Sequence, residues 1–180
     1  NININPTRNG LLIALREMGA NIKILNKKTI AGEIVADINV KSSELNGCEL
    51  DKEIAKLMID EFPILSIAAS QANSPSYFKG LEELRVKESD RLELINHNLN
   101  KCGCNSEIQD NNLLINPVKN IEILNPEIRT DFDHRIAMSF AVLGSKIGKL
   151  KINESDSINT SFPTFKDQFN KAGGKLSWKK

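Results

Sequence analysis

Leu99-Asn100-Lys101-Cys102-Gly103-Cys104, running on into Asn105-Ser106-Glu107-Ile108-Gln109, joins an amphipathic helix to a strand through a single glycine. Upstream, Leu92, Ile95, Leu99 and Cys102 recur at the spacing of one helix face. Gly103 is the residue type that ends a helix in the left-handed conformation without steric cost. The unit recurs twice: Leu11, Leu15 and Met18 lead through Gly19 into residues 21–25, and Phe169-Asn170-Lys171-Ala172-Gly173-Gly174 leads into residues 175–178. Three copies, too widely spaced for a simple solenoid, predict a compact α+β domain with pseudo-threefold repetition, each repeat holding two helices and several strands.

The intervening segments supply the second helix of each repeat. Asp51 starts one, with Ile54, Leu57 and Met58 apolar, and Pro63 interrupts it before the small, apolar run 64–69; this reads as a broken, buried helix. Asp131 or Asp133 starts another, with Ile136, Ala137, Phe140, Ala141 and Leu143 facing inward. Residues 1–5 alternate Ile and Asn as a strand closed by Pro6, and Thr7 or Asn9 can cap the helix behind it. Further strands are predicted over 33–40, 76–81, 113–116, 121–124 and 149–152, with a short polar loop at 153–159. No internal boundary is legible, so residues 1–180 read as one domain.

The 180 residues, 40% hydrophobic and 26% charged, suffice to bury a core. A net charge of +1, with one Trp and one Tyr, argues against a broad nucleic-acid surface. No apolar run approaches the roughly 18 residues of a membrane span, and no basic-then-apolar leader opens the chain, so no membrane partner and a cytoplasmic location are expected. Cys48, Cys102 and Cys104 are an odd set beside two histidines, which fits neither a disulfide framework nor the usual zinc spacings. Reduced, packed thiols and no metal are expected. Because the chain starts at Asn1 and runs straight into an apparent strand, we expect a piece of a longer protein.

The charges concentrate in Leu84-Arg85-Val86-Lys87-Glu88-Ser89-Asp90-Arg91-Leu92, with a helix-start signal in its middle. Ser89 and Asp90 are good N-cap types, and Glu93 stands three residues after Asp90 as in a capping box. A helix entrance bearing Lys87 and Arg91 suits a small anion, although a solvated charged turn has the same local composition. Glu88 can pair with Arg91 one helical turn away. Arg135 resembles Arg91 in lying in the first turn of a predicted helix, and two such ends converging would grip a dianion through planar guanidinium forks. Asp60, just before a helix break in an apolar stretch, reads as a partly desolvated carboxylate whose pKa is raised, or as a helix-end carboxylate facing water. His134 reads as a cap or hydrogen-bonding neighbour, or as a base.

Taken together, Arg85-Val86-Lys87-Glu88-Ser89-Asp90-Arg91-Leu92 and Asp133-His134-Arg135-Ile136-Ala137-Met138 resemble the two C-terminal signatures of the EPSP synthases, the 3-phosphoshikimate 1-carboxyvinyltransferases. Asn5-Pro6-Thr7-Arg8, Gly32-Glu33-Ile34-Val35-Ala36-Asp37-Ile38, Asp60-Glu61-Phe62-Pro63 and Ser161-Phe162-Pro163 match in family order across nearly the whole chain. The resemblance implies the C-terminal portion of a two-domain enzyme whose N-terminal domain is absent here. It also implies a domain of β-α-β-α-β-β repeats with buried parallel helices, their N-termini facing an interdomain cleft.

The chemistry implied is transfer of the enolpyruvyl group of phosphoenolpyruvate to the 5-hydroxyl of shikimate 3-phosphate, with release of phosphate and no metal or organic cofactor. By motif, Asp60 contacts the shikimate hydroxyls and accepts a proton, and Glu88 donates one to the methylene carbon. Arg91 and Arg135 bind phosphoenolpyruvate, chiefly its carboxylate, Lys87 supports the shikimate oxygen and the developing charge, and His134 is a further substrate-binding candidate. Thr160 occupies a position that is lysine in some relatives, which leaves the phosphate grip and the response to glyphosate open. The chain alone is expected to be inactive. A related enolpyruvyl transferase acting on UDP-N-acetylglucosamine and a non-catalytic anion-binding module are the alternative readings.

Overall fold

The computed structural model describes residues 1–118 and 125–177. Strand β1 (Ile2–Asn3) leads through the 3-10 turn Pro6–Arg8 into helix α1 (Gly10–Glu17), followed by the hairpin of β2 (Asn21–Ile30) and β3 (Glu33–Lys41). Next come β4 (Glu49–Leu50), α2 (Lys52–Lys56), the 3-10 turn Ile59–Glu61, α3 (Phe62–Ser70) and β5 (Ser76–Phe78). The turn Glu82–Val86 precedes α4 (Arg91–Lys101), β6 (Asn105–Gln109) and β7 (Asn112–Asn116). The chain continues with β8 (Glu127–Ile128), α5 (His134–Ile147), β9 (Lys151–Ile152), the turn Ser155–Ser157, α6 (Ile158–Ser161) and α7 (Phe165–Lys171).

The strands form three sheets, ordered β1-β3-β2, β4-β5-β7-β6 and β8-β9. In the middle sheet β4 runs parallel to β5, whereas β5–β7 and β6–β7 are antiparallel. Elements β4, α3, β5, α4, β6 and β7 thus make one complete β-α-β-α-β-β unit. The flanking sheets carry partial copies: β1, α1, β2 and β3 before it, and β8, α5 and β9 with the helices after it.

Repetition extends to individual hydrogen bonds. After α1, α4 and α7 the glycine N–H bonds back three residues (Gly19 to Arg16, Gly103 to Asn100, Gly173 to Asn170). The next N–H bonds back five (Ala20 to Leu15, Cys104 to Leu99, Gly174 to Phe169). The three glycines have φ of +91°, +78° and +103°, a conformation that disfavours a side chain. Asn100 then clasps the N–H and C=O of Ser106, and Asn170 clasps those of Leu176.

Some expectations need correction. Residues 175–177 follow that clasped path without forming a strand, and the predicted polar loop at 153–159 instead holds a 3-10 turn and the start of α6. The predicted strands 1–5, 76–81 and 149–152 are shorter than expected, and the strand begun at Asn21 extends to Ile30 because the Ala31-Gly32 turn folds it onto β3. Neither Thr7 nor Asn9 caps α1 with its side chain: Asn5 accepts from the Thr7 N–H at the preceding turn. The predicted strand 121–124 lies outside the described residues.

The core holds three buried helix faces. Phe62, Leu65, Ile67 and Ala69 of α3 pack with Leu92, Ile95 and Leu99 of α4 and Ile136, Phe140 and Leu143 of α5. Pro63 sits in the first turn of α3, where its missing N–H costs nothing, so the break precedes that helix. The three cysteines are free and buried, as packing thiols should be.

Candidate functional site

Three helix entrances meet. Asp60 stands in the turn that feeds α3, Arg91 is the first residue of α4, and Asp133 caps α5. Arg91 is completely buried, and each of its guanidinium nitrogens faces a different carboxylate. Nε donates to Asp133 Oδ2 at 2.8 Å, Nη1 to Asp60 Oδ1 at 3.0 Å, and Nη2 to Glu88 Oε2. A buried cation is tolerated only when its donors are so matched. Asp133 is saturated in turn: Oδ2 also accepts from Ser89 Oγ at 3.0 Å, and Oδ1 accepts from the Arg135 and Ile136 N–H groups at 2.9 and 3.3 Å.

Asp60 is the common counter-ion. Besides Arg91, it has Lys87 Nζ at 3.6 Å from Oδ1, and Arg135 and Arg8 at 3.9 and 4.0 Å from Oδ2. Arg135 Nη1 also donates to the Asp60 backbone carbonyl at 3.0 Å, which fixes that guanidinium over the turn. Lys87 is steadied by Glu83 at 3.0 Å. That hydrogen bond holds its ammonium above the ordinary lysine range, against burial and with help from Asp60. Arg85 serves as a brace: it donates to Asp90, Asn111 and the Asp110 carbonyl, tying the entrance of α4 to the β6–β7 turn.

Asp60 corrects one expectation. Burial pushes its carboxyl up, but Arg135, Lys87, Arg91 and Arg8 together outweigh burial and leave it below the usual range. Desolvation alone was the wrong guide, because the cations that set the balance come from elements remote in sequence.

Comparison with known proteins decides the affiliation. The family model for EPSP synthase (3-phosphoshikimate 1-carboxyvinyltransferase) matches residues 1–169. The chain belongs to the EPSP synthase family. A 3-phosphoshikimate 1-carboxyvinyltransferase of Paramagnetospirillum magneticum is 43% identical over 98% of this chain, and one of Carboxydothermus hydrogenoformans is 45% identical over 95%. The chain spans about 40% of the length of these curated relatives. An EPSP synthase structure from Acinetobacter baumannii superposes with a TM-score of 0.88 at 36% identity, covering 95% of this chain and 40% of that one. An enolpyruvyl transferase from Streptomyces tendae, 16% identical with a TM-score of 0.57, shares the fold. The architecture is therefore the α+β enolpyruvyl transferase fold.

Within this member of the family, Asp60, Lys87, Glu88, Arg91 and Arg135 come together as one cluster. His134 is the first residue of α5, half-buried, and no hydrogen bond of its imidazole occurs among the described residues; Asp133 is the cap. Sequence reasoning passed over Arg8, Glu61 and Asp133 as site members, although all three lie inside quoted motifs. The missed signal was the motif neighbours of Asp60 and Arg135 themselves. A cavity of about 360 Å³ is lined by Lys52, Lys56, Ile59 and Glu83 among others, but not by the cations around Asp60, of which Arg8, Arg135 and Lys87 reach solvent on an open wall while Arg91 is buried. Among the described residues no group of three or more His, Cys, Asp or Glu is placed to hold a metal ion. No described helix is long and apolar enough to cross a membrane.

Proposed function

We propose that this wall belongs to an active site transferring the enolpyruvyl group of phosphoenolpyruvate to the 5-hydroxyl of shikimate 3-phosphate. The observation that carries the reading is the convergence of Arg91, Lys87 and Arg135 on Asp60 from separate elements, in a chain of the EPSP synthase family. Asp60 takes the proton of the 5-hydroxyl as its oxygen adds to C2 of phosphoenolpyruvate, and Glu88 gives a proton to the C3 methylene. The product of these steps is a tetrahedral ketal. Its new methyl group then returns a proton to the Glu88 carboxylate as the C2–O bond to phosphate breaks, which releases phosphate and the enol ether.

Arg91 and Arg135 hold the phosphoenolpyruvate carboxylate, and Lys87 supports the shikimate oxygen as charge develops there. When the substrate carboxylate takes Arg91, Glu88 is released from that pairing, takes up a proton from solvent and faces the methylene carbon as its acid. No metal or organic cofactor enters this scheme. The remaining length found in the relatives supplies the opposite wall and further substrate contacts, so the 180-residue chain by itself turns over no substrate.

The test is Glu88→Gln in the polypeptide carrying this chain with that remaining length. Loss of a general acid is expected to lower turnover by about 100-fold or more, with folding and substrate affinity retained. Unchanged turnover would remove Glu88 from the chemistry.

A further inference from the structure

We propose that Arg8 is a substrate-anion ligand, the twin of Arg135, and that the Glu61 carboxylate holds the position of that anion between them. This rests on the function proposed above and adds two residues to its machinery. Arg8 Nη2 lies 3.6 Å from Glu61 Oε1 and 4.0 Å from Asp60 Oδ2. Arg135 approaches the same two oxygens, with Nη1 at 3.6 Å from Glu61 Oε1 and Nη2 at 3.9 Å from Asp60 Oδ2. Two guanidinium groups far apart in sequence thus flank one pair of oxygens at matching distances. None of the four contacts closes to a hydrogen bond, unlike the bonds that hold Arg91.

The backbone under Arg8 is fixed while its side chain is presented. Asn5 Oδ1 accepts from the Thr7 N–H at 3.0 Å and from Thr7 Oγ1 at 2.9 Å, and the Arg8 N–H donates to the Asn5 carbonyl at 2.9 Å. Asn5 is itself tied to Asn3 Oδ1 on β1 at 2.8 Å. From this turn the Arg8 side chain emerges 59% exposed, against 1% for Arg91. Its guanidinium donates no hydrogen bond among the described residues, so its planar forks remain for a carboxylate or phosphate. Asp60 is shared with Arg91 and Lys87, which leaves Glu61 as the main charge between the two outer arginines. A substrate carboxylate arriving there displaces Glu61 and gains both forks.

The signs expected are opposite for the two new residues. In phosphoenolpyruvate titrations, followed by NMR, of the polypeptide carrying this chain with the remaining length found in the relatives, Arg8→Gln is expected to weaken binding about fivefold or more, and Arg8→Lys to restore part of it. Glu61→Gln is expected to tighten binding about threefold, because the competing carboxylate has lost its charge. Thermal unfolding of each variant checks that the fold is kept. An Arg8→Gln affinity equal to wild type while Arg135→Gln binds weakly would overturn the role of Arg8 and spare the proposed function. Glu61→Gln binding no tighter than wild type would overturn the placeholder. Affinity untouched by Arg8→Gln, Arg91→Gln and Arg135→Gln alike, or no saturable response from the wild-type polypeptide carrying the remaining length, would remove both proposals.

Discussion

Asp60 concentrates the electrostatics of the molecule in one carboxylate. Burial raises its proton affinity, but Arg135, Lys87, Arg91 and Arg8 lower it further than burial lifts it. In the unfolded chain those cations disperse, and an aspartate titrates near about 3.9. A carboxyl with a depressed folded value contributes stability that is complete above the unfolded value and lost as pH falls through the folded one. The denaturant midpoint should therefore fall on acidification below about pH 4, and Asp60→Asn should flatten that fall. Parallel pH profiles for the two proteins would show that the cations do not hold Asp60 ionised. The carboxylate and its position before a break are legible in the sequence. Its proton affinity is not, because no local pattern brings residues 8, 87, 91 and 135 within 4 Å of residue 60.

At the scale of the element, the helix starts do more than begin helices. Asp51, Asp90 and Asp133 each accept from N–H groups of the turn they cap, as their residue type and position suggested. Asp133 also binds Ser89 and Arg91, so one side chain joins the entrances of α4 and α5. Ser89, a good cap by type, is used in this bridge instead. Asp133→Ala removes a cap and leaves a buried guanidinium nitrogen without its partner. It should cost about 3–5 kcal/mol in urea unfolding. A loss under about 1 kcal/mol would mean that Arg91 finds another partner without strain. The caps were readable because each involves neighbours within three residues; the bridge spans 42 residues and depends on how the helices pack.

For the whole molecule, a single core built from α3, α4 and α5 encloses the three thiols and places the charged wall at one end. Burial pushes the Cys48 thiol up to about 11 and the Cys102 thiol up to about 12, and raises Cys104 as well. Thiolates are the reactive form, so at pH 7.5 a disulfide reagent should label all three cysteines no faster than the chain opens. Labelling of any one within seconds under native conditions, without unfolding, would contradict this packing. The sheets show the same economy: one unit is complete, and its neighbours repeat the helix-glycine turn bond for bond although their strands differ in number and length.

By itself, the sequence determined the repeat, the helix faces, the aspartate caps, the glycine stops and the motifs that name the family. These depend on side-chain period and on turns whose partners are a few residues apart. Tertiary structure alone decided that Arg91 is buried among three carboxylates, that the proton affinity of Asp60 is pushed below its ordinary range rather than above it, and that Arg8 and Glu61 stand beside Arg135. Coulomb interactions follow distance in space, and the packing of α3, α4 and α5 sets those distances.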